Sequence, residues 1–201
     1  MTAGDGEPSK RSGRRPSTAA EAVAQARATS DTEELRRLVI QYGHHDKLLE
    51  AIADNVATPP EILVVLVASQ KAHWAQLRAG RNPSFPRKPL VALARSDDNE
   101  MRKEVAGNPM LPKRDLEKLR RDSYPRVRVQ ANANPSLPRS VLNEVQISDL
   151  PWWRLSELFD DLEHSHGRTH REVAEARAKQ ARDDRNSPLT VGTILTLAEG
   201  N

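Results

Sequence analysis

The sequence predicts an all-α fold: an α-solenoid of about five two-helix repeats of 26 residues, closed by helical caps. Three observations lead there. A short Asn/Pro motif recurs at a fixed interval. The apolar positions flanking it keep one register. Aromatic residues make up only 3% of the chain, which is thin for a globular core built on rings but suits a narrow core filled by Leu, Val, Ile and Ala.

The motif Asn108-Pro109-Met110-Leu111-Pro112 returns 26 residues later as Asn134-Pro135-Ser136-Leu137-Pro138. Asn82-Pro83-Ser84-Phe85-Pro86 lies 26 residues upstream, and Asn55-Val56-Ala57-Thr58-Pro59, a further 27 upstream, keeps the Asn and the second Pro. Asn186-Ser187-Pro188-Leu189-Thr190 follows Asn134 by 52 residues, two repeat lengths, with one unit between that lacks the motif. Eight residues after each Asn stand Leu63, Leu90, Leu116, Leu142 and Ile194, and eleven after it Leu66, Leu93, Leu119, Val145 and Leu197. Seven before it come Leu48, Ala75, Met101 and Val127, and three before it Ile52, Ala79, Val105 and Ala131.

Within one unit, Met101 and Val105 share a face of a short helix. Pro109 disfavours helical geometry at Asn108, so the helix stops there. An Asn at a helix end tolerates left-handed geometry and bonds free backbone groups. Pro112 suits the start of the next helix, where its missing N–H costs nothing, and Leu116 and Leu119 form that helix's stripe. Pro125 starts the following unit. Helices this short are unstable alone, so each unit buries its stripe against its neighbours.

In chain order, residues 1–18 form a Gly/Ser/Pro-rich tail carrying Lys10, Arg11, Arg14 and Arg15, expected to be disordered. Residues 19–44 form an N-terminal helical cap. Thr18-x-x-Glu21 and Ser30-x-x-Glu33 read as capping boxes starting helices at about Ala19 to Ala28 and Thr32 to Tyr42. The second resembles the latter half of an incomplete first unit. Residues 45–148 form the repeat array, and residues 149–201 a degenerate repeat and C-terminal helical cap. There Trp153-Arg154 falls 26 residues after Val127-Arg128, Asp160-Asp161 replaces Asn-Pro, and the helix continues through Leu162. A charged helix from about Thr169 to Asp183 and a last repeat-like helix ending near Leu197 follow.

The run from Met101-Arg102 through Val105-Ala106-Gly107-Asn108-Pro109 to Pro112, Leu116 and Leu119 resembles the leucine-rich repeat variant family of bacterial α-solenoids. Val127-Arg128 through Pro138, Leu142 and Val145 is similar. The resemblance covers about residues 45 to 145, and 186 to 198 in part. It implies a right-handed superhelix and a binding role, and no reaction. Some members carry an iron–sulfur cluster on cysteines; this chain has none, so that feature does not transfer.

Without cysteine there is no disulfide, thiolate metal site or cysteine nucleophile. No apolar run is long enough to span a membrane, and the N-terminus lacks the apolar stretch of a secretory signal. A cytoplasmic monomer is therefore expected. No nucleotide loop, nucleophile elbow or zinc-helix motif occurs, so no catalytic residues, cofactor or metal are assigned and the protein is read as no enzyme. His164, His166 and His170 are spaced for a metal, but Gly167 interrupts them and a polar loop is the better reading. Trp152, Trp153 and Phe159 are expected to seal the array's end, with one Trp partly exposed, and Trp74 to pack between units.

The partner-binding candidates are Arg102, Lys113, Arg114, Arg121, Arg126, Arg128 and Arg154. Arg102, Arg128 and Arg154 recur at one repeat position. They form either a positive stripe or pairs with acids of adjoining units such as Asp97, Asp98 or Asp122. Lys113 to Arg128 is the densest basic stretch, although the net charge is only +3, from 31 basic and 28 acidic residues. Two functions follow. One is a non-catalytic scaffold binding a protein or peptide along its extended face. The alternative is nucleic-acid binding through the basic tail and central repeats.

Overall fold

The computed structural model describes residues 15–69, 72–184 and 187–200. Among these are thirteen α-helices, one 3₁₀ turn and no β-strand, and no helix is long and apolar enough to cross a membrane. The first ten helices come in five pairs: α1 (Ala19–Ala28) and α2 (Thr32–Tyr42), α3 (Asp46–Asp54) and α4 (Pro60–Ala68), α5 (His73–Arg81) and α6 (Arg87–Leu93), α7 (Asn99–Ala106) and α8 (Lys113–Leu119), α9 (Pro125–Asn132) and α10 (Arg139–Leu142). The first helices α1, α3, α5, α7 and α9 each pack on the next, and α2, α4, α6 and α8 each pack on the first helix of the following pair.

The residues seven and three before each Asn fill the space between first helices. Leu48 and Ile52, Ala75 and Ala79, Met101 and Val105, and Val127 and Ala131 are all buried. Ala22 and Ala26 of α1 hold the same two places and are fully buried. Leu63, Leu90, Leu116 and Leu142, eight after each Asn, are buried from the second helices. Burying each such leucine contributes about 1.5–3 kcal/mol.

Each Asn side chain ties its pair to the one before. Asn82 Nδ2 donates to Ala53 O (2.7 Å) and Asn55 O (2.9 Å). Asn108 Nδ2 donates to Gly80 O (3.0 Å) and Asn82 O (2.8 Å), and Asn134 Nδ2 to Ala106 O (2.7 Å) and Asn108 O (3.0 Å). The Oδ1 atoms accept from the backbone N–H two residues on, at Ser84, Met110 and Ser136, 2.8–2.9 Å away. Asn55 makes the same bonds to Ala26 O (2.7 Å) and Thr29 O (2.8 Å) of the α1 end. α1 thus stands where a preceding first helix stands, and the expected N-terminal cap packs as a pair like the others. The left-handed geometry expected at Asn is absent: no described non-glycine residue has positive φ, and Asn55 (φ −75°) and Asn82 (φ −63°) are extended. Extended backbone aims the carboxamide at the preceding pair rather than folding it onto its own helix.

The first two helices begin and end where the capping signals place them. Thr18 Oγ1 accepts from Glu21 N (3.2 Å), but the α2 cap is Asp31, accepting from Glu33 N (2.9 Å), and not Ser30. Of the tail, residues 1–14 lie outside the described residues; Tyr42 Oη donates to Pro16 O at 2.7 Å.

The C-terminal register departs from expectation. α11 (Trp152–His166), α12 (Arg168–Asp183) and α13 (Val191–Glu199) pack on one another around Leu155, Leu158, Phe159 and Leu162. The 3₁₀ turn Ile147–Asp149, rather than α11, makes the main contact with α9. Backbone bonds Ile147 N to Leu189 O (3.3 Å) and Val191 N to Val145 O (2.9 Å) hold that turn. Trp153, in register with buried Val127, is therefore 52% exposed. The sealing reading holds for Phe159, fully buried, while Trp152 is half-buried. In α13 the buried face is Val191, Ile194, Leu195 and Ala198, which leaves Leu197 exposed at 40%. Asn186 lies outside the described residues. Gly167, at φ 98°, makes the corner between α11 and α12.

Trp74 is 64% exposed and does not pack between units. The buried face of α5 is formed instead by Ala75, Ala79 and Gly80, and α7 approaches it closely: a Cβ on Gly80 would lie 3.2 Å from Met101 Sδ and 3.3 Å from Val105 Cγ2. Such a groove takes alanines, not an indole.

Replacing Asn108 by Ala leaves two carbonyls and one N–H without their partner, and unfolding in urea is expected to show a loss of about 2–4 kcal/mol. Asn108→Asp is expected to lose more at pH 7, because it sets a carboxylate against two carbonyl oxygens, and to recover partly on acidification. Equal stability of wild type and both variants would show that these bonds do not hold the units together.

Candidate partner surface

The two helix layers carry different charge. The first helices α3, α5 and α7 carry Lys47, Arg78, Arg81, Arg102 and Lys103 with Asp46, Glu50, Asp54, Glu100 and Glu104, five of each sign. They are joined within and between units. Lys47 meets Glu50 (2.9 Å), Arg78 meets Glu50 (3.6 Å) and Asp54, Arg81 meets Glu104 (3.8 Å), and Lys103 meets Glu100 (2.6 Å) and Glu104 (3.2 Å). This face is largely self-neutralised.

The second helices α6 and α8 are not. Residues 87–95 and 113–121 hold eight basic side chains (Arg87, Lys88, Arg95, Lys113, Arg114, Lys118, Arg120, Arg121) against Asp115 and Glu117. Asp115 is buried, 3.4 Å from Arg95 and 3.9 Å from Lys118. Glu117 bonds Arg120 at 2.8 Å and lies 3.8 Å from Arg121. Arg87, Lys88, Lys113 and Arg114 are exposed, and none forms an ion pair with a described residue. They follow Pro86 and Pro112 in the first turns of their helices. Cations there oppose the helix dipole, so helix stability does not account for them.

Of the residues the sequence singled out, Lys113, Arg114 and Arg121 come together on this face. Arg114 and Arg121 line one shallow depression with Glu117 and Lys118. Arg126 is exposed in the first turn of α9. The recurring arginines do not join them. Arg102 Nε and Nη2 grip Asp122 at 2.8 and 3.0 Å, while its Nη1 reaches Ser96 O at 2.8 Å. Arg128 donates to Asp122 O (3.0 Å) and lies 3.7 Å from Asp149. Arg154 pairs within its own helix with Glu157 at 2.6 Å. Arg102 and Arg128 thus fasten inter-unit turns, the pairing alternative the sequence left open. Arg87 and Lys88 were missed: they are isolated in the chain, and only the register, five and six residues after Asn82 as Lys113 and Arg114 are after Asn108, reveals them.

Apolar side chains are also exposed in the second-helix layer. Ile40 of α2 is 85% exposed and Val65 of α4 67%, with Val64 beside it. No group of three His, Asp or Glu among the described residues is arranged to hold a metal. His164 Nδ1 lies 2.6 Å from Asp160 O in its own helix, and the His166 and His170 rings are 5.7 Å apart.

Set against family models, curated proteins and solved structures, the chain matches none.

The hydrogen bonds from Arg102 hold the Asp122 carboxyl below its ordinary range, and Asp122 in turn raises the Arg102 guanidinium. A lowered carboxyl contributes stability that is present above its unfolded value and lost as pH falls through its folded one. Asp122→Asn is therefore expected to cost about 1–3 kcal/mol at pH 7. The gap to wild type should begin to close below about pH 4. A gap that persists unchanged at pH 2 in thermal melts would exclude this assignment.

Proposed function

We propose that this protein is a non-catalytic α-solenoid scaffold of five two-helix units, of the leucine-rich repeat variant kind, that binds an acidic protein or peptide through its second-helix face. The five-pair stacking and the inter-unit asparagine bonds support the solenoid reading, and the Asn-Pro-x-x-Pro register supports the family. The single observation that carries the function is the charge asymmetry. The first helices α3, α5 and α7 balance their charges among themselves, whereas α6 and α8 present Arg87, Lys88, Lys113 and Arg114 without acidic partners. Stacked units form extended binding surfaces by construction, and unpaired basic groups on such a surface favour an acidic occupant.

A protein partner fits better than nucleic acid because the same layer exposes Ile40 and Val65. Apolar side chains supply buried contact area in protein interfaces but meet no phosphate, and no described aromatic stands among the basic residues of α6 and α8 for base stacking.

The double variant Lys113→Glu, Arg114→Glu is expected to keep its fold, with stability within about 0.5 kcal/mol of wild type. In affinity capture it should lose an acidic protein that the wild type retains. Unchanged capture by the variant, or capture of nucleic acid whose affinity falls steeply with salt, would reject the reading.

A further inference from the structure

The second-helix layer changes character along its length. At its start, Arg36 of α2 bonds Glu61 of α4, which sets these two helices side by side. One turn further along each, Ile40 and Val65 fall on the same side as the bonded pair and are among the most exposed apolar residues of the protein. Further along, Arg95 beyond α6 reaches Asp115 of α8 at 3.4 Å, and the exposed residues there are Arg87, Lys88, Lys113 and Arg114. An apolar zone on α2 and α4 thus precedes a basic zone on α6 and α8 within one layer.

We infer that the two zones receive a single extended peptide segment with apolar residues at one end and acidic residues at the other. This rests on the acidic-partner reading and adds to it a fixed polarity and length. Successive first helices pack on one another, which sets the repeat step at about 8–10 Å, and the three steps from α2 to α8 span about 25–30 Å. An extended chain covers that in about nine residues at roughly 3.3 Å each. Charge complementarity orients the segment: its acidic end lies over α6 and α8, where Arg87, Lys88, Lys113 and Arg114 stand exposed, against only Arg15 and Arg37 beside Ile40.

The experiment is fluorescence anisotropy on the full chain with four labelled probes. These are a ten-residue peptide with four leucines followed by six glutamates, the same blocks in reverse order, a scrambled version, and deca-glutamate. One of the two block peptides is expected to bind at least about tenfold tighter than the scrambled version and deca-glutamate, a difference of about 1.4 kcal/mol. Ile40→Ser with Val65→Ser should abolish that gain while leaving deca-glutamate binding unchanged; Lys113→Glu with Arg114→Glu should weaken both. Equal binding of block, scrambled and deca-glutamate probes overturns the two-zone inference but leaves the basic face standing. No binding of any acidic probe overturns both. Concentration-dependent self-association in sedimentation that Ile40→Asp removes while probe binding is unaltered overturns the two-zone inference alone, because the apolar zone is then a contact between copies of this chain.

Discussion

A primary carboxamide carries two N–H donors and one strong acceptor on a single short side chain, and the architecture depends on all three being used. At Asn82, Asn108 and Asn134 the donors satisfy two carbonyls at the end of the preceding first helix, and the acceptor takes the N–H of the turn that leads into the unit's own second helix. Helix ends leave such groups without intrahelical partners, and these Asn residues are buried, so water cannot take their place. Aspartate has the acceptors without the donors, serine is too short, and glutamine too long for the same turn. The bond sets the distance between successive first helices, and the alanines and valines of Ala75, Ala79, Val105 and Ala131 fill what remains.

Much of this was legible in the chain. The period, the apolar columns and the Pro-marked helix starts identify themselves because each repeats, so error at one unit is corrected by the next. The limits of α1 and α2 were legible for another reason: Thr18 and the acidic residues after it offer backbone N–H groups their acceptors locally. What could not be read is what does not repeat. Trp153 keeps the register of Val127 in sequence, yet the inserted turn at Ile147–Asp149 takes the place on α9 that the register assigned to α11. Leu197 failed likewise, since α13 is rotated by its own partners and not by the repeat. The role of Asn was misplaced for a related reason: helix-end rules describe a residue within its own helix, whereas this side chain serves the helix before it.

The candidate surface was half visible. Lys113 and Arg114 stand in a dense basic run, but Arg87 and Lys88 acquire meaning only as their counterparts one unit earlier. Conversely, Arg102 and Arg128 look like a ladder of free charge in sequence and prove to be fasteners of inter-unit turns, with Asp122 shared between a side-chain grip and a backbone acceptor. Recurrence alone does not separate a binding residue from a structural one; the nearest carboxylate does.

The asparagine bonds also have a direction. In every case the donor belongs to the later unit and the acceptors to the earlier one, back to Ala26 and Thr29. A chain that leaves the ribosome N-terminus first therefore exposes each pair of carbonyls before the side chain that will cap it has been made. Each unit is therefore completed by the one that follows it, whose asparagine supplies the donors that its helix end lacks.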